Sequence, residues 1–256
     1  MNSLYILNIR IAITSYDDAS ARILQWATEP VGRYVCMSNV HMCMEAFDNH
    51  DFCQVVNNAD LVVPDGLPLV WALKSLGAKH ASHVRGSDLL LRLCGEAQKR
   101  NIPIGLYGGT SNSLTDFMGF LKNEFPDLKI PFFNSPPFRE LSQEEDANYV
   151  NEINASGVRI LFVGIGCPKQ ENWMAEHRDK LCCVMVGVGA AFDFFSGRKK
   201  HAPRWIQQAG LEWMFRLASD PRRLWKRYLK HNPRFVYYFF KQWFAGAQSG
   251  EDSREA

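Results

Sequence analysis

Between Tyr34 and Phe195 the chain repeats one pattern, a short apolar run followed by a longer stretch in which apolar residues recur every three to four positions. The runs Tyr34-Val35-Cys36-Met37, Leu61-Val62-Val63, Ile102 to Tyr107, Val158 to Val163 and Cys182 to Val188 are apolar on both alternating faces. Strands of that kind are covered on two sides, which is the condition of a parallel sheet. Asp88 to Gln98 and Asn112 to Glu124 have helical spacing, and Ser142-Gln143-Glu144-Glu145 reads as a capping box for a further helix. The βαβα order predicts an α/β fold with a Rossmann-like parallel core.

After Gly197 the alternation stops and only helical patterns follow. Asp220-Pro221 and Asn232-Pro233 each set a capping side chain before a proline, which predicts about three short helices. In the middle one Leu224, Trp225, Tyr228 and Leu229 share a face. Phe235, Tyr237, Tyr238, Phe239, Phe240, Trp243 and Phe244 crowd the last. We expect an α/β body over 1–197, a helical appendage over 198–245 and a polar, frayed end over 246–256.

At 256 residues, 46% hydrophobic and 22% charged, the chain can bury one sizeable core, which excludes a disordered tail, a collagen-like repeat and a disulfide mini-protein. The net charge of +2 is an average over unlike parts. Arg198 to Phe244 holds twelve Lys or Arg against Glu212 and Asp220, so this segment carries +10 and the remainder −8. The seven cysteines form no C-x-x-C and lie mostly in apolar runs, as reduced core residues of a cytosolic protein do. Neither a signal peptide nor a membrane-spanning stretch is expected.

Three glycine-containing turns follow predicted strands, where α/β proteins bind ligands. They are Val62-Val63-Pro64-Asp65-Gly66, Leu106-Tyr107-Gly108-Gly109-Thr110 and Val163-Gly164-Ile165-Gly166-Cys167-Pro168-Lys169-Gln170-Glu171. Gly108 and Gly109 let backbone N–H groups approach a phosphate, although a tight left-handed turn without a ligand uses glycine equally well. Asp65 suits a general base facing a crevice, or else caps the helix from Pro68. Asn39 can hold a sugar or base through its amide, or cap a helix of its own. His41, His80, His83 and His201 lack metal spacing and a serine-nucleophile context, so no metal and no chemistry is assigned to them. The chain contains no D-x-D, which leaves arginines as the charge partners of a diphosphate.

Six segments in register carry a family likeness: Asn39 after its strand, Ala59 to Gly66, Arg85-Gly86-Ser87-Asp88, Gly164 to Trp173, Val188 to Asp193, and Ala202-Pro203-Arg204-Trp205 with Gly210-Leu211-Glu212-Trp213 and Arg216-Leu217. From about residue 5 to residue 230 the chain resembles the WecG/TagA/CpsF family, glycosyltransferase family 26. The resemblance implies an inverting transfer, independent of metal and cofactor, from a UDP-sugar (UDP-N-acetylmannosamine, its uronic acid or UDP-glucose) to a polyprenyl-pyrophosphate-linked sugar in surface polysaccharide assembly. It implies Asp65 as the base, and Asn39, Arg85 and Gln170 in the pocket, with Gly108, Gly109, Lys169 and Glu171 as further substrate-binding candidates. It also implies an appendage that completes the site and recruits the enzyme to the inner face of the membrane, and a homo-oligomer where the appendage is absent. Arg216, Arg222, Arg223, Lys226 and Arg227 are the candidates for stabilising the leaving group or meeting an anionic membrane surface. Two residues before Asn39 the family carries threonine and this chain Met37, so no hydroxyl is supplied there.

The tail supports the membrane reading on its own chemistry, since basic and aromatic side chains favour the headgroup level and each cation near an anionic leaflet contributes about 1 kcal/mol. Packing of the aromatics on the core is the alternative for the tail. For the whole chain the competing class is a nucleic-acid-binding protein, with arginines on phosphates and aromatics on bases, but it leaves Asp65 and the Pro168 to Glu171 turn without a task. A Rossmann dehydrogenase is disfavoured because no G-x-G-x-x-G follows the first strand.

Overall fold

A computed structural model describes residues 2–195, 202–203, 205–206 and 210–252, apart from the side chains of Arg223 and of 246–252. An antiparallel hairpin, β1 (Ser3–Ile6) and β2 (Ile9–Ala12), precedes the main sheet. The sheet consists of β3 (Arg33–Ser38), β4 (Leu61–Pro64), β5 (Ile104–Gly108), β6 (Phe132–Asn134), β7 (Ile160–Gly164) and β8 (Val184–Gly187). Its order is β4-β3-β8-β7-β5-β6, and every pairing is parallel. The expected α/β class with a parallel core is therefore the observed one.

Helices α1 (Tyr16–Trp26), α2 (Val40–Asp48), α3 (His50–Asn57), α4 (Leu67–Ser75), α5 (Gly86–Lys99), α6 (Ser111–Glu124), α7 (Gln143–Ala155), α8 (Lys169–Glu176) and α9 (Ala191–Phe195) connect and cover the strands. The period of two in the strands decides which side each residue serves. Val35, Ile160, Phe162, Val184 and Val186 pack with Ile23, Leu89, Leu93, Phe117 and Phe192 of α1, α5, α6 and α9. Tyr34, Cys36, Leu161, Val163 and Met185 pack on the other side with Met42, Phe52, Leu69, Ile153 and Met174 of α2, α3, α4, α7 and α8. The capping box at α7 is formed as expected, with the Glu145 N–H donating to Ser142 Oγ at 3.1 Å and the Ser142 N–H to Glu145 Oε2 at 2.9 Å.

The tail departs from expectation in its helices. Asp220 ends α10 (Glu212–Ser219) and Pro221 starts α11, as its sequence suggests, but α11 then runs from Pro221 to Asp252 without a break at Asn232-Pro233. An internal proline removes a helix hydrogen bond at a cost of about 3 kcal/mol. The turn around Pro233 is held from outside instead: His231 and Phe235 are buried, and Arg234 donates to both carboxylate oxygens of Asp48 at 2.8 and 2.5 Å. The face expected in the middle helix is split, with Leu224 buried but Trp225 and Leu229 exposed. α11 also passes residue 246, where the sequence reads as frayed. The expected boundary at 197, and Arg198, Lys199, Lys200 and Arg204, lie outside the described residues.

α11 lies across α2 and the N-terminal hairpin. The Tyr238 ring lies tilted against Phe47 at 4.5 Å between ring centroids, and Gln242 accepts from the Leu7 N–H and donates to the Tyr5 carbonyl, both at 2.8 Å. Leu7 has φ 52°, a left-handed conformation that a leucine adopts only under constraint, and Gln242 supplies that constraint.

At the end of β5, Gly108 has φ 124° and a Cβ there would stand 2.5 Å from the Gly164 backbone. Gly108→Val is expected to lower stability by at least about 2 kcal/mol in urea unfolding, from clash and backbone strain together.

Candidate active site

Because all six strands of the sheet run the same way, the turns after β3, β4, β5, β7 and β8 open on one edge. β3 and β4 pair with Ser38 opposite Pro64, so Asn39 and Asp65 emerge side by side. α10 and α11 close over them and leave a cavity of about 600 Å³. Asn39, His41, Asp65, His83, Glu212 and Arg216 line it next to β3 and β4. Further along α4 and α11 the lining changes to Trp71, Phe235, Val236, Phe239, Phe240 and Trp243. The cavity thus has a charged head and an apolar extension.

Asp65 is held by its own backbone and by the start of α5. Its N–H donates to the Ser38 carbonyl at 2.7 Å, its carbonyl accepts from His83 Nε2 at 3.0 Å, and its Oδ1 accepts from the Gly86 N–H at 2.8 Å. It does not cap α4, whose first turn follows Gly66 with no side-chain cap. Burial raises the Asp65 carboxyl to about 7, Glu212 adds to the rise, and Arg216, the Gly86 N–H and Arg85 oppose it. A carboxyl of that acidity is half ionised near neutral pH, the property a general base needs.

Three guanidinium groups surround this head. Arg85 is buried, with Nε 3.3 Å from Glu212 Oε2 and Nη1 3.5 Å from Asp88. Arg216 donates from Nε and Nη2 to Glu212 Oε1 at 2.9 and 2.5 Å and lies 4.9 Å over the Phe194 ring. Arg227 lies over the Tyr228 ring at 5.3 Å, with its buried Nε making no hydrogen bond among the described residues. Asn39 is committed in part, since its Oδ1 caps α2 by accepting from the His41 and Met42 N–H groups at 3.1 and 3.3 Å. Its Nδ2 is what it can offer a ligand. Met37, at the position of the family threonine, is buried against Gly86.

Over residues 4–249 the sequence matches the Glycosyl transferase WecG/TagA/CpsF family. The chain belongs to this family. Two relatives are named N-acetylglucosaminyldiphosphoundecaprenol N-acetyl-beta-D-mannosaminyltransferase. The chain is 30% identical over 218 residues to the one from Bacillus spizizenii and 27% identical over 219 residues to the one from Bacillus subtilis, in each case over 85% of this chain and 82% of the relative.

Of the residues singled out in this glycosyltransferase, Asn39, Asp65, Arg216 and Arg227 line one cavity, and Arg85 joins it through Glu212. A second group sits apart, after β5 and β7. The Gly109 N–H donates to the Gly164 carbonyl at 3.0 Å, and the Thr110 N–H to Ser113 Oγ at 2.9 Å, so this turn spends its donors on the fold. Gln170 is buried, donating from Nε2 to Glu171 Oε1 at 2.8 Å and accepting from the Gly189 N–H at 2.9 Å. Glu171 is buried, with Oε2 making no hydrogen bond among the described residues, and burial raises its carboxyl, while Lys169 is exposed. Arg222 and Lys226 are exposed on α11, and the Arg223 side chain lies outside the described residues.

The sequence reading assigned no chemistry to His41 or His83 and no role to Trp71, Glu45 or Glu212. His41 and Glu45 stand one turn apart on α2, 3.6 Å from each other, a spacing that sequence alone does not set apart from an ordinary helix pair, while the neighbours of His83 and Trp71 come from other segments; Glu212 lies in one of the family-like segments. His41, Glu45 and His231 bring ligand atoms within 4.8 Å of one another. Burial, Arg227, His231 and Lys230 push the His41 imidazole down to about 3, and the same cations oppose a metal ion there. Among the described residues no helix is long and apolar enough to cross a membrane.

The raised Asp65 carboxyl links to stability. The folded protein holds this proton up to about pH 7, whereas an unfolded aspartate loses it near 4, so Asp65 favours the fold at low pH and that contribution is lost as pH rises through 7. Asp65→Asn is expected to be more stable than the parent at pH 8, with the difference shrinking towards pH 5, in urea unfolding at both values.

Proposed function

We propose that this glycosyltransferase moves a sugar from a UDP-sugar to a polyprenyl-diphosphate-linked sugar, with inversion and without a metal, at the inner face of the membrane during surface polysaccharide assembly. The observation that carries the reading is Asp65, a carboxyl tuned to about 7 at the charged head of a cavity whose other end is apolar. Such a cavity suits an acceptor that is sugar and diphosphate at one end and hydrocarbon at the other. The relatives' printed names favour N-acetylmannosamine as the sugar transferred and lipid-linked N-acetylglucosamine as the acceptor, ahead of the uronic acid or glucose donors.

Asp65 takes the proton of the acceptor hydroxyl as its oxygen attacks the anomeric carbon. The bond from that carbon to the UDP oxygen breaks on the opposite face, the electron pair leaves with UDP, and the configuration inverts. The leaving diphosphate needs fixed positive charge, and Arg85, Arg216 and Arg227 supply it. Asn39 holds the sugar or base through its Nδ2. Gln170 and Glu171 serve the donor pocket from beneath, through the Gly189 turn, with Gly108 and Gly109 shaping its neighbour and Lys169 available to phosphate. Since Arg216 and Arg227 belong to the tail, the site is complete only with the tail docked. Arg222, Lys226 and the exposed Trp225, Leu229 and Phe244 face outward and suit an anionic leaflet.

Presented with a short lipid-diphosphate-linked N-acetylglucosamine, the enzyme is expected to release UDP from UDP-N-acetylmannosamine in preference to the other two donors. No UDP release from any of the three would overturn the reading. Asp65→Asn is expected to lose at least about a hundredfold in turnover while still binding UDP, and near-normal turnover removes Asp65 as base. Activity should survive EDTA, whereas truncation after Gly197 should abolish it in a protein that remains soluble. In flotation assays the full chain should rise with anionic liposomes; an RNA gel shift without flotation would instead favour the nucleic-acid reading.

A further inference from the structure

Glu212 opens α10 and stands between two guanidinium groups that come from different parts of the chain. Its Oε2 is 3.3 Å from Arg85 Nε, and its Oε1 accepts from Arg216 Nε and Nη2 at 2.9 and 2.5 Å. Arg85 precedes α5 in the body, and Arg216 lies one turn along α10. The residue after Arg85 is Gly86, whose N–H binds Asp65 Oδ1. The carboxylate therefore ties the appendage to the body at the peptide that anchors the base.

The charges facing Asp65 come from four parts of the chain. His83 and Arg85 belong to the segment entering α5, where Asp88 also pairs with Arg85, and Arg216 and Glu212 belong to α10. His41 of α2 and Arg227 and His231 of α11 line the same cavity. Two cations beside a carboxylate depress its basicity by about one to three pKa units each when nothing opposes them. Here one carboxylate, itself only 20% exposed, engages both.

We propose that Glu212 is a positioning residue for Asp65, holding Arg216 to Arg85 above the reaction centre and cancelling enough of their charge for Asp65 to remain a base. The inference rests on Asp65 acting as the base, and its test reads Asp65 both with and without catalysis. The Asp65 carboxyl is followed by ¹³C NMR titration in the full-length protein, with Asp65→Asn for assignment, alongside the pH dependence of kcat/KM. In Glu212→Gln the titration midpoint should fall by about one unit, the acid limb of the profile should follow it, and kcat should drop by about tenfold. Glu212→Asp, which retains the charge, should keep the parental midpoint.

An unmoved midpoint in Glu212→Gln that melts like the parent overturns the proposal, as does an equal loss of activity in the Gln and Asp variants with the acid limb unmoved. Should Glu212→Gln fail to fold, the double variant Glu212→Gln/Arg216→Gln removes one charge of each sign. Its midpoint should return towards the parental value, and a midpoint that stays depressed overturns the proposal. A midpoint that moves while the pH profile does not would support the hold of Glu212 on Asp65 and overturn Asp65 as base, which separates this inference from the function beneath it.

Discussion

Arg234 donates to Asp48 with two nitrogens, Lys230 stands 3.5 Å from the same carboxylate, and His231 Nε2 lies 3.3 Å from Glu45, all across the line where α11 meets α2. The two pairs on Asp48 are partly exposed and contribute little individually. Phe235, buried one turn beyond His231 in the same cluster as Met42, Cys43 and Ala46 of α2, supplies an apolar part of the contact at about 1.5 to 3 kcal/mol. The cavity depends on this seam, because half of its wall is α10 and α11. Without it Asp65 would face water, its carboxyl would lose the burial that raises it, and Arg216 would have no fixed position. The same seam explains why α11 continues through Pro233: the packed residues 231, 234 and 235 bracket the proline and offset its cost.

Burial alone would make Asp65 a poor base, since a fully desolvated carboxyl stays protonated. Arginines alone would make it a poor base for the opposite reason, by stabilising the anion. The structure combines the two and adds Glu212 between the arginines, so the opposing effects leave Asp65 near neutrality. Glu171 makes a useful contrast. It is also buried and its carboxyl raised, but its hydrogen bonds are with Gln170 and Cys167, and among the described residues no cation opposes the rise as Arg216 and Arg85 do at Asp65.

Much of the fold was legible where burial is two-sided, because β4, β5, β7 and β8, and β3 between Tyr34 and Met37, carry no charged or amide side chain on either face, the composition of a covered strand. The N-terminal hairpin was not. Its turn uses Leu7 in a left-handed conformation in place of glycine, and what holds Leu7 is Gln242, far along the chain. β6 is three residues long at the sheet edge, with Phe132 buried and Phe133 exposed, too short for any period to register. At the site, Asp65 and Asn39 were legible from their place at strand ends. Asn39 is the helix cap that one of its two readings expects, through its Oδ1, and that contact leaves its Nδ2 for the other. Glu212 as partner of Arg85 was not legible, since a contact between residues so far apart in sequence leaves no local spacing to read.

The charge of the tail is also divided by the structure. Read along the sequence, its cations look like one basic surface, but Arg216, Arg227 and Arg234 turn inward to Glu212, the cavity and Asp48, and Lys230, itself exposed, also pairs with Asp48. Arg222, Lys226 and Lys241 remain exposed together with Trp225, Leu229, Tyr237 and Phe244. At about 1 kcal/mol for each cation near an anionic surface, the outward set gives a weak electrostatic contribution, so apolar insertion must provide the rest of any lipid affinity. The inward set loses contact with lipid and gains a fixed position in or beside the cavity that holds Asp65. Docking the helix is thus the step that converts a generic basic aromatic segment into two surfaces, one able to meet a membrane and one able to meet a diphosphate, and both depend on the same turns of α11.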